Sequence, residues 1–127
     1  RSGGRSRTVS PAGAVSQASK VQGGSDESIL LDAVDLFTAG DYKGAKALLK
    51  PLSSNGNDAV LYYLGLCDLF TGNYDQARES LQQACQLDPH NYWYKDRLAL
   101  CYSALGEHDL TIEIYESLLK EFFKAKR

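Results

Sequence analysis

The residues able to do chemistry are few and scattered. Cys67, Cys85 and Cys101 form an odd set, with no Cys-x-x-Cys pair and no histidine at ligand spacing. Three cysteines with neither feature do not supply the four ligands of a structural zinc site, so the thiols read as buried, reduced packing groups, and no metal or cofactor is assigned. Reduced thiols point to a cytoplasmic or nuclear compartment. Ser103, His108 and Asp109 have the types of a hydrolase triad, but they lie too close along one short segment to converge as one. His90 falls in the turn sequence DPHN, and the glycines of RSGGRS lack the strand and helix that would frame a phosphate loop. Ser10, between Arg7 and Pro11 in RTVSP, is a candidate phosphorylation site, with a solvated linker as the plain alternative. No catalytic residue emerges, and the chain is read as a non-enzyme.

The elements that could position anything begin after residue 25. Residues 1–25 are rich in Gly and Ser, carry no aromatic residue and show no period, which predicts a disordered tail. Four of the 14 basic residues and none of the 16 acidic ones fall there, so the remainder is net acidic. A net-acidic folded part without a basic stripe argues against nucleic acid. The apolar runs are too short to insert in a membrane, and the tail lacks the apolar centre of a secretory leader. With Arg at position 1 and no Met, the chain is expected to be a piece of a longer protein.

From Ser25 the apolar spacing is helical and no stretch alternates with period two. Ser25, Asp41, Asp58 and Asn91 are candidate N-caps. Gly40, Gly72 and Gly106 are candidate C-terminal stops. The predicted helices lie near 26–39, 42–53, 58–71, 74–87, 92–105 and 108–125. Pro51 should shorten or kink the second of them. The punctuation recurs: Tyr42 matches Tyr74 after 32 residues, and Cys67 and Gly72 match Cys101 and Gly106 after 34. A period in the thirties means stacked supersecondary units.

Leu64, Gly65, Gly72, Tyr74, Ala77, Leu81, Ala84 and Pro89 resemble the tetratricopeptide repeat pattern, a helix–turn–helix of about 34 residues. Leu98, Ala99, Tyr102, Gly106 and Tyr115 carry the resemblance into a third unit; Ala33, Gly40, Tyr42, Ala45 and Leu49 carry it into a first. It implies an all-α, right-handed superhelix of three units, about 26–57, 58–91 and 92–125, in a domain spanning 26–127. It also explains a glycine inside a helix. Ala33, Gly65 and Ala99 fall where the two helices of a unit cross, opposite Ala45 and Ala77, with Thr111 replacing the small residue of the third unit.

The resemblance implies a concave side lined by first helices that binds a protein or peptide segment. The matching slots are Leu30, Val34 and Phe37, then Tyr62, Tyr63, Leu66 and Phe70, then Trp93 and Arg97. Heat-shock co-chaperones of this kind clamp a C-terminal carboxylate with Lys, Asn and Arg. Here Leu30, Val34, Tyr63 and Trp93 fill those slots and only Arg97 matches, so the clamp is absent. Arg97 is expected near Asp96, on a ligand acid, or on a solvated helix face. A non-catalytic adaptor is the leading reading. The alternatives are a chaperone shielding a hydrophobic client, similar to type III secretion translocator chaperones, and the regulatory arm of an enzyme lying outside this piece. No covering helix is evident after Phe123, so Leu118, Leu119, Phe122 or Phe123 are expected on a face open to self-association.

Overall fold

A computed structural model of the chain describes residues 23–126. Among these residues it is helical throughout. The elements are α1 (Gly23–Thr38), α2 (Tyr42–Leu49), a 3-10 turn (Lys50–Leu52), α3 (Asp58–Phe70), α4 (Tyr74–Leu87), α5 (Tyr92–Ala104) and α6 (His108–Lys126). Each helix packs on the next, and the first helices of successive units, α1 on α3 and α3 on α5, also touch. The result is three helix–turn–helix units stacked as a solenoid.

One device closes all three units. Gly40, Gly72 and Gly106 sit at φ 89°, 86° and 82°, the left-handed region that a side chain disfavours. The amide after each glycine donates back to the carbonyl five residues earlier: Asp41 to Leu36, Asn73 to Asp68 and Glu107 to Tyr102, each at 2.8 Å. These are Schellman closures, and they explain why the same Gly-polar pair recurs.

Helix starts depart from expectation in two places. Asp41 and Asn91 cap as predicted, accepting from the amides of Gly44 at 2.9 Å and Tyr94 at 3.2 Å. Ser25, by contrast, lies inside α1, which begins two residues earlier. The cap of α3 is Asn57, which accepts from Val60 at 3.1 Å; Asp58 is the first helical residue instead. Pro51 shortens its helix as expected: α2 ends at Leu49 and the chain tightens into the 3-10 turn.

The crossing points are dry and close. Ala33, Ala45, Ala77 and Ala99 have no exposed surface. A Cβ on Gly65 would stand 2.6 Å from Leu81 Cγ and 2.9 Å from Leu81 Cδ2, so only glycine lets α3 and α4 meet at this distance. The helical cost of glycine, about 1 kcal/mol against alanine, is offset by that packing. Thr111 fills the third slot by turning its hydroxyl to the carbonyls of Glu107 at 3.1 Å and Ala99 at 3.4 Å.

Polar contacts tie one unit to the next. Lys46 Nζ on α2 meets Asp68 Oδ1 on α3 at 2.7 Å, and the carboxylate is almost fully buried. Tyr94 Oη on α5 donates to Asp58 Oδ2 on α3 at 2.9 Å. Gln82 on α4 donates to Tyr102 Oη on α5 at 2.7 Å. The three cysteines are free; Cys67 and Cys101 are buried and Cys85 is half-buried. Burial pushes the Cys67 and Cys85 thiols up to about 11.

Candidate functional site

A linked set of aromatic rings lies mostly on the first helices. Phe37 on α1 is the hub at one end: its ring centroid lies 5.3 Å from Tyr42, 5.5 Å from Tyr63 and 5.8 Å from Phe70. Phe70 also meets Tyr42 at 5.6 Å. Tyr63 passes the contact to Tyr62 at 5.2 Å, and Tyr62 passes it to Tyr94 of α5 at 4.8 Å. Edge and tilted pairs at these separations are the favoured geometries for aromatic quadrupoles.

At the far end Trp93 carries Tyr92 against its edge at 5.2 Å and the Arg97 guanidinium over its ring at 5.1 Å from the centroid. Arg97 also pairs with Asp96, whose other oxygen accepts from Tyr115 of α6 at 3.2 Å. The fields of Arg97 and Asp96 reach Tyr62, where burial raises the phenol and Arg97 opposes it.

Three of the expected slots are not accessible. Leu30, Val34 and Leu66 are 1%, 7% and 4% exposed and belong to the cores between helices. Leu30 shares its buried cluster with Ala59 and Val60 of α3 in the next unit. The six that reach the surface are Phe37, Tyr62 and Tyr63, half-buried, and Phe70, Trp93 and Arg97; Phe70 and Trp93 show 47% and 55% of their area. Arg97 is neither on an open helix face nor free to meet an acid, because Asp96 and Trp93 hold it. Tyr42 and Asp96 complete the surface. Tyr42 lies on a second helix and was legible as a repeat residue, not as part of the aromatic array. Ser10 lies outside the described residues.

A separate cleft of about 430 Å³ opens between α2 and α4, with Lys46, Lys50, Asp68 and Gln76 in its wall. Its chemistry is already committed: Lys46 bonds Asp68 and, at 3.1 Å, Gln76. Among the described residues no group of His, Cys, Asp and Glu could hold a metal ion, and no helix is long and apolar enough to cross a membrane.

Two family models, both described as tetratricopeptide repeat, match residues 58–91 and 96–122. The matches fall on the second and third units, where the glycine closures at Gly72 and Gly106 recur. The chain is a tetratricopeptide repeat protein. Among solved structures it is similar to the second such domain of Spaghetti (RPAP3), described as bound to the HSP90 peptide SRMEEVD. That likeness has a TM-score of 0.70 at 20% identity, over 82% of this chain and 95% of the other, and it speaks to the fold. No curated protein matches the sequence. A tetratricopeptide repeat solenoid is a protein-interaction architecture.

Proposed function

We propose that this repeat domain is a non-catalytic adaptor that binds a segment of another protein on the face formed by Phe37, Tyr42, Tyr62, Tyr63, Phe70, Trp93 and Arg97. One observation carries the reading. Linked rings run from Phe37 and Phe70 through Tyr63 and Tyr62 to the buried Tyr94 of α5, Phe70 and Trp93 are about half in solvent, and the only cation among the slots pairs within the chain. Large amphipathic rings with partial exposure are the side chains that dominate binding energy at protein interfaces. A partner segment with apolar or aromatic side chains fits this face, in extended or helical form.

The RPAP3 domain is described with an acidic peptide, SRMEEVD. The residue types here favour a different ligand, because leucine, valine, tyrosine and tryptophan stand where the clamping members place their polar residues. Selection from a displayed library of peptides tests the proposal. Wild-type domain should enrich internal segments with spaced apolar anchors, and a Phe70→Ala, Trp93→Ala double variant should lose them. Enrichment of acidic C-terminal sequences, or equal enrichment by both proteins, would overturn it.

A further inference from the structure

α6 is fastened to α5 along one side. Lys95 Nζ reaches Ser117 Oγ at 3.2 Å and Glu121 Oε2 at 3.1 Å, Thr111 leans on the Ala99 carbonyl, and Ile114 enters the core beneath. These contacts set the rotation of the helix and therefore the side it turns outward. On that side Ile112, Leu119 and Phe123 are each more than half exposed, with Tyr115 and Phe122 alongside. The positions 112, 115, 119 and 122 follow the alternating three-and-four spacing of a coiled-coil seam. A contiguous apolar stripe of this length on a helix marks an association surface.

Charge says what covers it. At 100° per residue, Asp109, Glu113 and Glu116 fall on one flank of the seam in the first half of α6, and Lys120 and Lys124 fall on the same flank in the second half. The order along the helix is acid, then base. We propose that a second copy of this chain docks on α6, antiparallel, about a two-fold axis perpendicular to the helix pair. That symmetry sets flank against flank with the directions reversed, so the acids of each copy lie beside the lysines of the other. A parallel pair, with its two-fold axis along the helices, would set this flank against the opposite flank of the partner and leave the acid–base order unmatched. The seam borders the aromatic face at Tyr115, whose hydroxyl meets Asp96. Phe37, Tyr62, Tyr63 and Phe70 lie away from it on α1 and α3, so the dimer presents two such faces and gains avidity for a partner that carries two segments.

Sedimentation equilibrium of the full 127-residue chain tests this over a wide concentration range. Wild type should show a reversible monomer–dimer equilibrium, and Leu119→Glu should be monomeric with unchanged helical circular dichroism. Two further variants test direction. Glu113→Lys, Glu116→Lys leaves Asp109 as the flank's one acid against four lysines, and Lys120→Glu, Lys124→Glu makes it wholly acidic. Each alone should dimerise at least tenfold more weakly than wild type, and an equimolar mixture should form a heterodimer. Combining all four changes in one chain should restore the dimer. A wild-type monomer at the highest concentration would overturn the proposal and leave the stripe to a following segment or another protein. Dimers of the basic and acidic variants as tight as wild type, or a mixture without heterodimer, would overturn the antiparallel arrangement.

Discussion

The hydroxyl of Tyr94 on α5 donates to the carboxylate of Asp58 at the first turn of α3, 2.9 Å away, across the boundary between the second and third units. Asp58 is 2% exposed, and its other oxygen has no hydrogen-bond partner. The tyrosine hydroxyl is thus the group that satisfies a buried carboxylate, and stacking of the same ring on Tyr62 joins this lock to the aromatic face.

Removing that hydroxyl strands the carboxylate. Tyr94→Phe keeps the ring and its packing, so its cost isolates the hydrogen bond, and a buried charged acceptor left unpaired costs about 3 kcal/mol. Chemical denaturation should show that loss with little change in slope. A midpoint equal to wild type would mean that Asp58 finds another donor.

Alkaline pH should loosen the fold in a defined order. Cys67 and Cys85 titrate near 9 when unfolded and near 11 when folded, so their contribution is complete below pH 9 and is lost as pH rises toward 11. Burial and the Asp58 hydrogen bond push Tyr94 above its ordinary value of 10, which extends the decline past pH 10. The unfolded chain releases these protons first, so stability falls with rising pH. Thermal melts from pH 7 to 11 should show Tm level to about 9 and falling beyond it. In Tyr94→Phe the slope above pH 10 should be shallower.

Helix crossing offers a sterically defined test. Gly65→Ala adds one methyl that meets Leu81 at 2.6 Å, and Gly65→Leu adds four carbons to the same space. Overpacking of this kind costs about 1–3 kcal/mol, enough to outweigh the helical preference of alanine. The middle unit touches both neighbours, so loosening it weakens both interfaces. Gly65→Leu should lower Tm more than Gly65→Ala. An unchanged Tm in both would show that α3 and α4 do not cross there.

The ion pair of Lys46 and Asp68 joins the first two units. Asp68 is buried and Lys46 is about a quarter exposed, so solvent screens part of the attraction. Lys46→Ala should cost about 2 kcal/mol, chiefly from the carboxylate left behind, and Lys46→Ala with Asp68→Asn should recover part of it. A double-mutant cycle in urea measures the coupling. A coupling of zero would make the pair incidental.

Much of this was legible because short-range rules act alone at the ends of helices. Gly40, Gly72 and Gly106 each need positive φ, Asp41 and Asn91 sit three residues before the amide they cap, and Pro51 cannot continue a helix; none of these depends on a distant residue. Leu30, Val34 and Leu66 were expected to line a groove, but all three are buried, because neighbouring helices cover them. Leu30 and Val34 share a buried cluster with Ala59 and Val60 of the next unit, and Leu66 shares one with Leu98 and Cys101, contacts that the local repeat pattern does not contain. Asp58 was read as a cap for a related reason. Its real partner, Tyr94, is 36 residues away, and it leaves the cap to Asn57.

Binding should follow exposure, not slot number. Leu66 lies in the core, so Leu66→Glu would report on folding; Phe70→Ala and Trp93→Ala remove rings that are about half in solvent, and the helices should survive them. Truncating a central aromatic anchor costs about 2 kcal/mol or more, roughly thirtyfold in affinity. Arg97→Ala should weaken binding less, and through Trp93, because it removes the cation that rests on that ring and frees Asp96. If Arg97 serves only as this brace, added salt should leave affinity for an apolar segment nearly constant, whereas a ligand held by its carboxylate would dissociate as salt screens the contact. The measurement is a titration of one selected peptide against wild type, Phe70→Ala, Trp93→Ala and Arg97→Ala at low and high ionic strength, with circular dichroism confirming each fold. Loss of affinity at Phe70 and Trp93 with little salt dependence supports an aromatic docking face. Full affinity in both aromatic variants would move recognition to the second helices.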